Sequence, residues 1–128
     1  VTTIAVVEDN ADNRLLLQAI LDGEYTLVEY DNGIDALAGL TASLPDLVLL
    51  DISLPGMDGN EILARIRASD YLRHLPVIAL TAHAMAGDRE KYLAAGFNDY
   101  ITKPIVDETL LLGAISRWLS APRTGGLG

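Results

Sequence analysis

The 128-residue chain contains no cysteine, so disulfides, thiolate nucleophiles and cysteine-held metals are excluded at once. Positive charge is scarce as well, with 9 Lys and Arg against 18 Asp and Glu and a formal net charge of −9. A nucleic-acid duplex would be repelled by such a surface, and direct nucleic-acid binding is not expected. No apolar run is long enough to span a bilayer: the longest nearly uncharged stretch, Leu75 to Gly87, is interrupted by Pro76, Thr81 and His83. No signal-peptide pattern opens the chain, so no membrane association and a cytoplasmic location are expected. The phosphate-cradling pattern G-x-x-x-x-G-K-[ST] is also missing.

What remains is apolar mass, since 50% of the residues are hydrophobic and 21% are charged, the balance of one globular domain with a single core. Five strand-length apolar runs stand out: Thr3 to Val7, Tyr25 to Tyr30, Leu47 to Leu50, Val77 to Leu80 and Tyr100 to Thr102. Longer segments between them carry apolar residues at helical spacing, such as Leu15, Leu16, Ala19 and Ile20, or Ile62, Leu63 and Ile66. Leu110, Leu111, Ala114, Ile115, Trp118 and Leu119 form a closing helical stripe, in which Trp118 reads as core. Gly23 and Gly96 stand where helix C-caps belong, and Asp12 and Asn60 are candidate N-caps.

Strand and helix alternate five times, and the two central runs lack polar alternation, as strands covered on both faces do. A parallel α/β sheet with helices on both faces is therefore predicted. The second run alternates with polar residues and belongs at an edge. From Ser120 onward, residues 120–128 read as a flexible tail or linker.

In a parallel sheet all strand C-termini reach one edge, where ligands bind. The runs end there in Glu8 and Asp9, in Asp51, in Thr81 and in Lys103. Each residue alone is more often a cap, a structural hydroxyl or solvated surface. Together they are harder to explain that way, because carboxylates about 4 Å apart repel by roughly 4 kcal/mol per pair at an effective dielectric of 20. Lys103 supplies one compensating charge, and Mg²⁺, a hard cation that takes a few carboxylates and keeps its waters, would supply the rest. Such a site binds phosphoryl oxygens and offers a carboxylate nucleophile that would become an aspartyl phosphate.

These residues resemble the receiver domains of bacterial response regulators, the CheY-like family, over residues 3 to 119. The resemblance rests on Glu8-Asp9, Asp51, Thr81-Ala82 and Lys103-Pro104, each after its strand, and on the loop from Asp51 to Gly59. It implies a flavodoxin-like, CheY-like five-stranded sheet of order 2-1-3-4-5, with residues 1–119 as the receiver domain. Asp51 would accept the phosphoryl group, and Asp9, Asp51 and the Ser53 backbone carbonyl would hold Mg²⁺, for which Mn²⁺ can substitute. Glu8 would act on the metal through water. Lys103 would pair with phosphoryl oxygens, and Thr81 would hydrogen-bond to one of them. Tyr100 matches the family's switch aromatic and is expected to rotate inward when Thr81 moves. Ser53 and His83 flank the path of the hydrolytic water and would set the phosphoryl lifetime. A cis Lys103-Pro104 bond is expected.

The implied function is that of a signalling receiver in a two-component system or phosphorelay. A sensor histidine kinase or histidine phosphotransfer protein would supply the phosphoryl group, and a downstream protein would bind the fourth helix, fifth strand and fifth helix. The chain is expected to catalyse only its own phosphorylation and slow dephosphorylation, and not to act as an enzyme on other molecules. A standalone receiver is favoured over one belonging to a hybrid sensor kinase. An Asp-nucleophile phosphatase of the haloacid-dehalogenase type is disfavoured, because the second acid expected two residues after Asp51 is Ser53.

Overall fold

The computed structural model describes residues 2–82, 87–105 and 107–120. Strands and helices alternate through β1 (Thr3–Val7), α1 (Ala11–Leu21), β2 (Thr26–Tyr30), α2 (Gly33–Ala42) and β3 (Leu47–Asp51). They continue through α3 (Gly59–Ala68), β4 (Val77–Thr81), α4 (Asp88–Ala95), β5 (Asp99–Thr102) and α5 (Glu108–Ser120). All neighbouring strands pair in parallel, in the order β2-β1-β3-β4-β5.

Two apolar clusters, one on each face, explain why the central strands show no polar alternation. Val48 and Leu50 join one cluster with Ile62, Leu63 and Ile66 of α3, while Leu47 and Leu49 join the other with Leu17 and Leu21 of α1 and Ile115 of α5. Every residue of β3 and β4 is buried, whereas no residue of the edge strand β2 is, Thr26 and Glu29 being exposed and the rest half-buried. Trp118 packs against the second cluster and donates its indole N–H to buried Asp99 at 3.1 Å.

Strand ends differ from the sequence reading by one residue in β2, β3, β4 and β5, and helix caps and the last helix differ as well. Asn10 and Asp58, not Asp12 and Asn60, are the N-caps of α1 and α3, accepting from the backbone N–H of Asn13 and Glu61. Asp12 and Asn60 lie inside the first turns instead. The α1 C-cap is Asp22, with Gly23 one residue beyond it at φ 83°, while Gly96 does cap α4 at φ 117°. Ser120 belongs to α5, so the helix takes the first residue assigned to the tail; residues 121–128 lie outside the described residues.

Arg67 ties the far end of α3 to the α4–β5 corner. Its guanidinium donates to the carbonyls of Gly96, Arg73 and Leu75 and to the Asn98 side chain, at 2.7 to 3.0 Å. Burial lowers its pKa, and these acceptors replace the lost hydration.

Candidate functional site

Parallel pairing carries the chemistry to one edge. Asp51 closes β3 opposite Leu80, and Thr81 closes β4 opposite Thr102, one residue before Lys103. Glu8 follows β1, its N–H donating to the Tyr30 carbonyl of β2 at 3.0 Å. The close approach behind Asp51 requires a glycine, since a Cβ on Gly59 would meet the Asp51 carbonyl oxygen at 2.5 Å.

Carboxylate oxygens of Glu8, Asp9 and Asp51 all lie within 4.8 Å of one another. Glu8 and Asp51 are buried while Asp9 is exposed, so the cluster opens to solvent on one side. The Lys103 ammonium stands 3.2 Å from Glu8 and 3.1 Å from Asp51. Asp51 also accepts from the Ser53 N–H at 3.1 Å, and Ser53 itself is exposed. Glu8 accepts from the Asn10 N–H at 3.2 Å and the Asn13 side-chain amide at 3.3 Å, and Arg14 donates to the Glu8 carbonyl at 2.7 Å. The Lys103-Pro104 bond is cis.

Electrostatics follow from this crowding. Burial, reinforced by Asp51, pushes the Glu8 carboxyl up to about 7, against the pull of the Asn10 N–H and Lys103. Burial alone would depress the Lys103 ammonium, but the hydrogen bond and charge of Asp51, joined by Glu8, outweigh it and leave the pKa raised. Three acids and one lysine leave negative charge uncompensated. An all-oxygen donor set that is partly open suits a hard divalent cation such as Mg²⁺.

Thr81 is buried, and its hydroxyl lies 2.9 Å from that of Tyr92 on α4. Tyr100 is half-buried, its ring centre 5.7 Å from that of Tyr92. Tyr92, Asn10, Asn13 and Arg14 were not singled out as site residues from the sequence. The two asparagines could have been found from their spacing two and five residues after Glu8, on the opening turn of a helix. His83 lies outside the described residues.

The response regulator receiver domain model matches residues 4–115. The chain belongs to this family. Over 119 residues the receiver is 40% identical to the sensor histidine kinase GacS of Pseudomonas protegens, a match covering 90% of this chain and 13% of that kinase. It is also 40% identical over 104 residues to the polar-differentiation response regulator DivK of Brucella anthropi, covering 80% of this chain and 85% of DivK. Among solved structures it resembles the receiver domain of a Pseudomonas aeruginosa sensor histidine kinase with a magnesium ion coordinated in its active-site cleft. That likeness has a TM-score of 0.84 and 37% identity, covering 94% of this chain and 98% of the other. The family works in two-component and phosphorelay signalling, and receivers of this type partner with histidine kinases or phosphotransfer proteins. Among the described residues, no helix is long and apolar enough to cross a membrane.

Proposed function

We propose that this receiver, spanning residues 1–119, takes a phosphoryl group on Asp51 from a histidine kinase or phosphotransfer protein and thereby changes its affinity for a downstream protein. The observation carrying this reading is the placement of Asp51 at the end of central strand β3, 3.1 Å from the Lys103 ammonium and within a three-carboxylate cluster. An Asp51 carboxylate oxygen forms the P–O bond as the P–N bond of the donor phosphohistidine breaks. The leaving imidazole keeps the electron pair. Lys103 then meets the charge on the phosphoryl oxygens, and the Ser53 N–H orients the carboxylate.

Mg²⁺, or Mn²⁺ in its place, would be held by Asp9, Asp51 and the Ser53 carbonyl, with Glu8 acting through water, and supplies the positive charge that offsets the repulsion between carboxylates and phosphate. Hydrolysis of the acyl phosphate returns the resting state, with Ser53 beside the water path. This is chemistry on the protein's own side chain and does not make the chain an enzyme for other substrates. A cytoplasmic location goes with a donor that draws on ATP. For the downstream partner, a groove of about 580 Å³ along β5 and α5, lined by Arg89, Tyr100, Leu110 and Arg117 among others, supports docking on α4, β5 and α5. Matches to both a long sensor kinase and a short regulator are compatible with this role in either setting.

Intact-mass measurement after mixing with acetyl phosphate and Mg²⁺ tests the proposal. One phosphoryl group is expected on the wild type and none on Asp51→Asn or with excess chelator. An unchanged gain in Asp51→Asn contradicts the assignment.

A further inference from the structure

Arg14 reaches the acidic loop through its backbone and not through a carboxylate of the cluster. It lies in the first turn of α1, and its half-buried guanidinium serves two partners. One nitrogen donates to the Glu8 carbonyl at 2.7 Å, and another stands 3.4 Å from one oxygen of the Glu29 carboxylate on β2. The other Glu29 oxygen accepts from the side-chain amide of Gln18, one helical turn after Arg14. Glu29 is thus held by two residues of α1, and it fixes in turn where the Arg14 fork lies.

The Glu8 carbonyl needs such a donor. Pairing of β1 with β2 ends at Val7 and Tyr30, and beyond it the Glu8 N–H still donates to the Tyr30 carbonyl at 3.0 Å. Glu8 is fully buried, so its carbonyl is shut off from water, and among the described residues Arg14 alone donates to it. Both polar groups of the Glu8 backbone are therefore held, one by β2 and one by Arg14.

A peptide unit is planar, so a fixed Glu8 carbonyl also fixes the nitrogen and Cα of Asp9. Asp9 depends on this. Glu8 and Asp51 are held by hydrogen bonds and by Lys103, whereas the exposed Asp9 carboxylate has no hydrogen bond or ion pair among the described residues. Its aim is set by its backbone.

We propose that Arg14 is a positioning residue for the metal site: through the Glu8 carbonyl it sets the Glu8–Asp9 peptide and so aims the Asp9 carboxylate at the cation that Asp51 shares. The proposal rests on the reading of Asp9 and Asp51 as metal ligands. Charge alone predicts the opposite sign, because removing a cation beside an acidic cluster strengthens the pull of that cluster on a divalent ion.

The probe is Mn²⁺, titrated into the protein while the free ion is read by electron paramagnetic resonance. Wild type, Arg14→Met, Arg14→Gln, Asp9→Asn and Arg67→Ala are compared, and urea unfolding of each is followed without metal. Arg14→Met keeps the stem and removes the donors, and it is expected to raise the Mn²⁺ dissociation constant about tenfold. Arg67→Ala, altered at the far end of α3, is expected to lose stability and bind Mn²⁺ as wild type does. Unchanged or tighter binding in Arg14→Met overturns the proposal, and so does weakening of the same size in Arg67→Ala, which would trace the effect to stability. Should Arg14→Met not unfold cooperatively, Arg14→Gln, whose amide is too short to serve both partners, decides by the same rule. If wild type does not bind Mn²⁺, or Asp9→Asn binds it equally well, the metal-site reading fails and takes the positioning role with it. Weakened binding in Asp9→Asn alone leaves that reading standing and overturns only the role of Arg14.

Discussion

The Lys103 ammonium lies 3.1 Å from the Asp51 carboxylate although β4 separates their strands in the sheet. The lysine side chain thus reaches over the end of β4, where Thr81 stands. Nucleophile, cation and hydroxyl come from three adjacent strands. Any charge added to Asp51 is felt at once by β4 and β5, which is the physical basis for a switch.

Thr81 links that added charge to the fold. A charge-assisted bond from its hydroxyl to a phosphoryl oxygen is worth about 1.5 to 3 kcal/mol, enough to shift a two-state balance roughly ten- to a hundredfold. Thr81→Ala is expected to be phosphorylated still, while the phosphorylation-dependent change in hydrogen exchange across α4 and β5 is lost. Retention of the full change would mean that the signal leaves by another face.

Glu8 makes metal-free stability depend on pH. Its carboxyl is raised from 4.5 to about 7, so between those values the folded chain holds a proton that the unfolded chain has released. This contribution is fully present below 4.5 and is lost as pH rises through about 7. Mg²⁺ compensates the ionised form, so the rise in Tm on adding Mg²⁺ is expected to be larger at pH 8 than at pH 5. Glu8→Gln should flatten that difference, and an Mg²⁺ effect larger at pH 5 would contradict the account.

Ser53 is exposed two residues beyond Asp51, where a small side chain leaves water free to approach. Ser53→Lys is expected to lengthen the phosphoryl lifetime severalfold in a dephosphorylation time course. An unchanged rate would place the water path elsewhere.

Much of this arrangement was legible because strand chemistry and site chemistry share one sequence signal. Apolar runs without polar alternation mark buried parallel strands, and a polar residue ending such a run must lie at the sheet edge. Asp51 and Thr81 are in fact the last residues of their strands, paired in the ladder and not just beyond it. The caps were harder, because Asp9, Asn10 and Asp12 crowd the start of α1 and only the folded backbone, with the Asn13 N–H donating to the Asn10 side chain, selects Asn10. Tyr92 was invisible for a related reason. It follows the charged run Asp88, Arg89, Glu90 and Lys91, and a single tyrosine in so short a helix gives no sign that its hydroxyl reaches β4.

Arg67 offers a test of stability separate from the site. Removing its guanidinium takes this donor from the Gly96 carbonyl at the α4–β5 corner and from the Arg73 and Leu75 carbonyls between α3 and β4. Arg67→Ala is expected to cost about 2 to 4 kcal/mol in urea unfolding. Lys, with a single ammonium in place of the planar fork, should recover less than half of that. A loss below about 0.5 kcal/mol, the range of ordinary surface changes, would show that the corner holds without it.

The central claim is that Asp51, among the three clustered acids, carries the phosphoryl group. Borohydride reduces an aspartyl phosphate, but not a free carboxylate, to homoserine, and peptide mass mapping then locates it. After treatment with acetyl phosphate and Mg²⁺, homoserine is predicted at position 51 alone. Reduction at position 9, a reduced side chain at position 8, or no reduced residue in a protein that has gained a phosphoryl group would contradict the account.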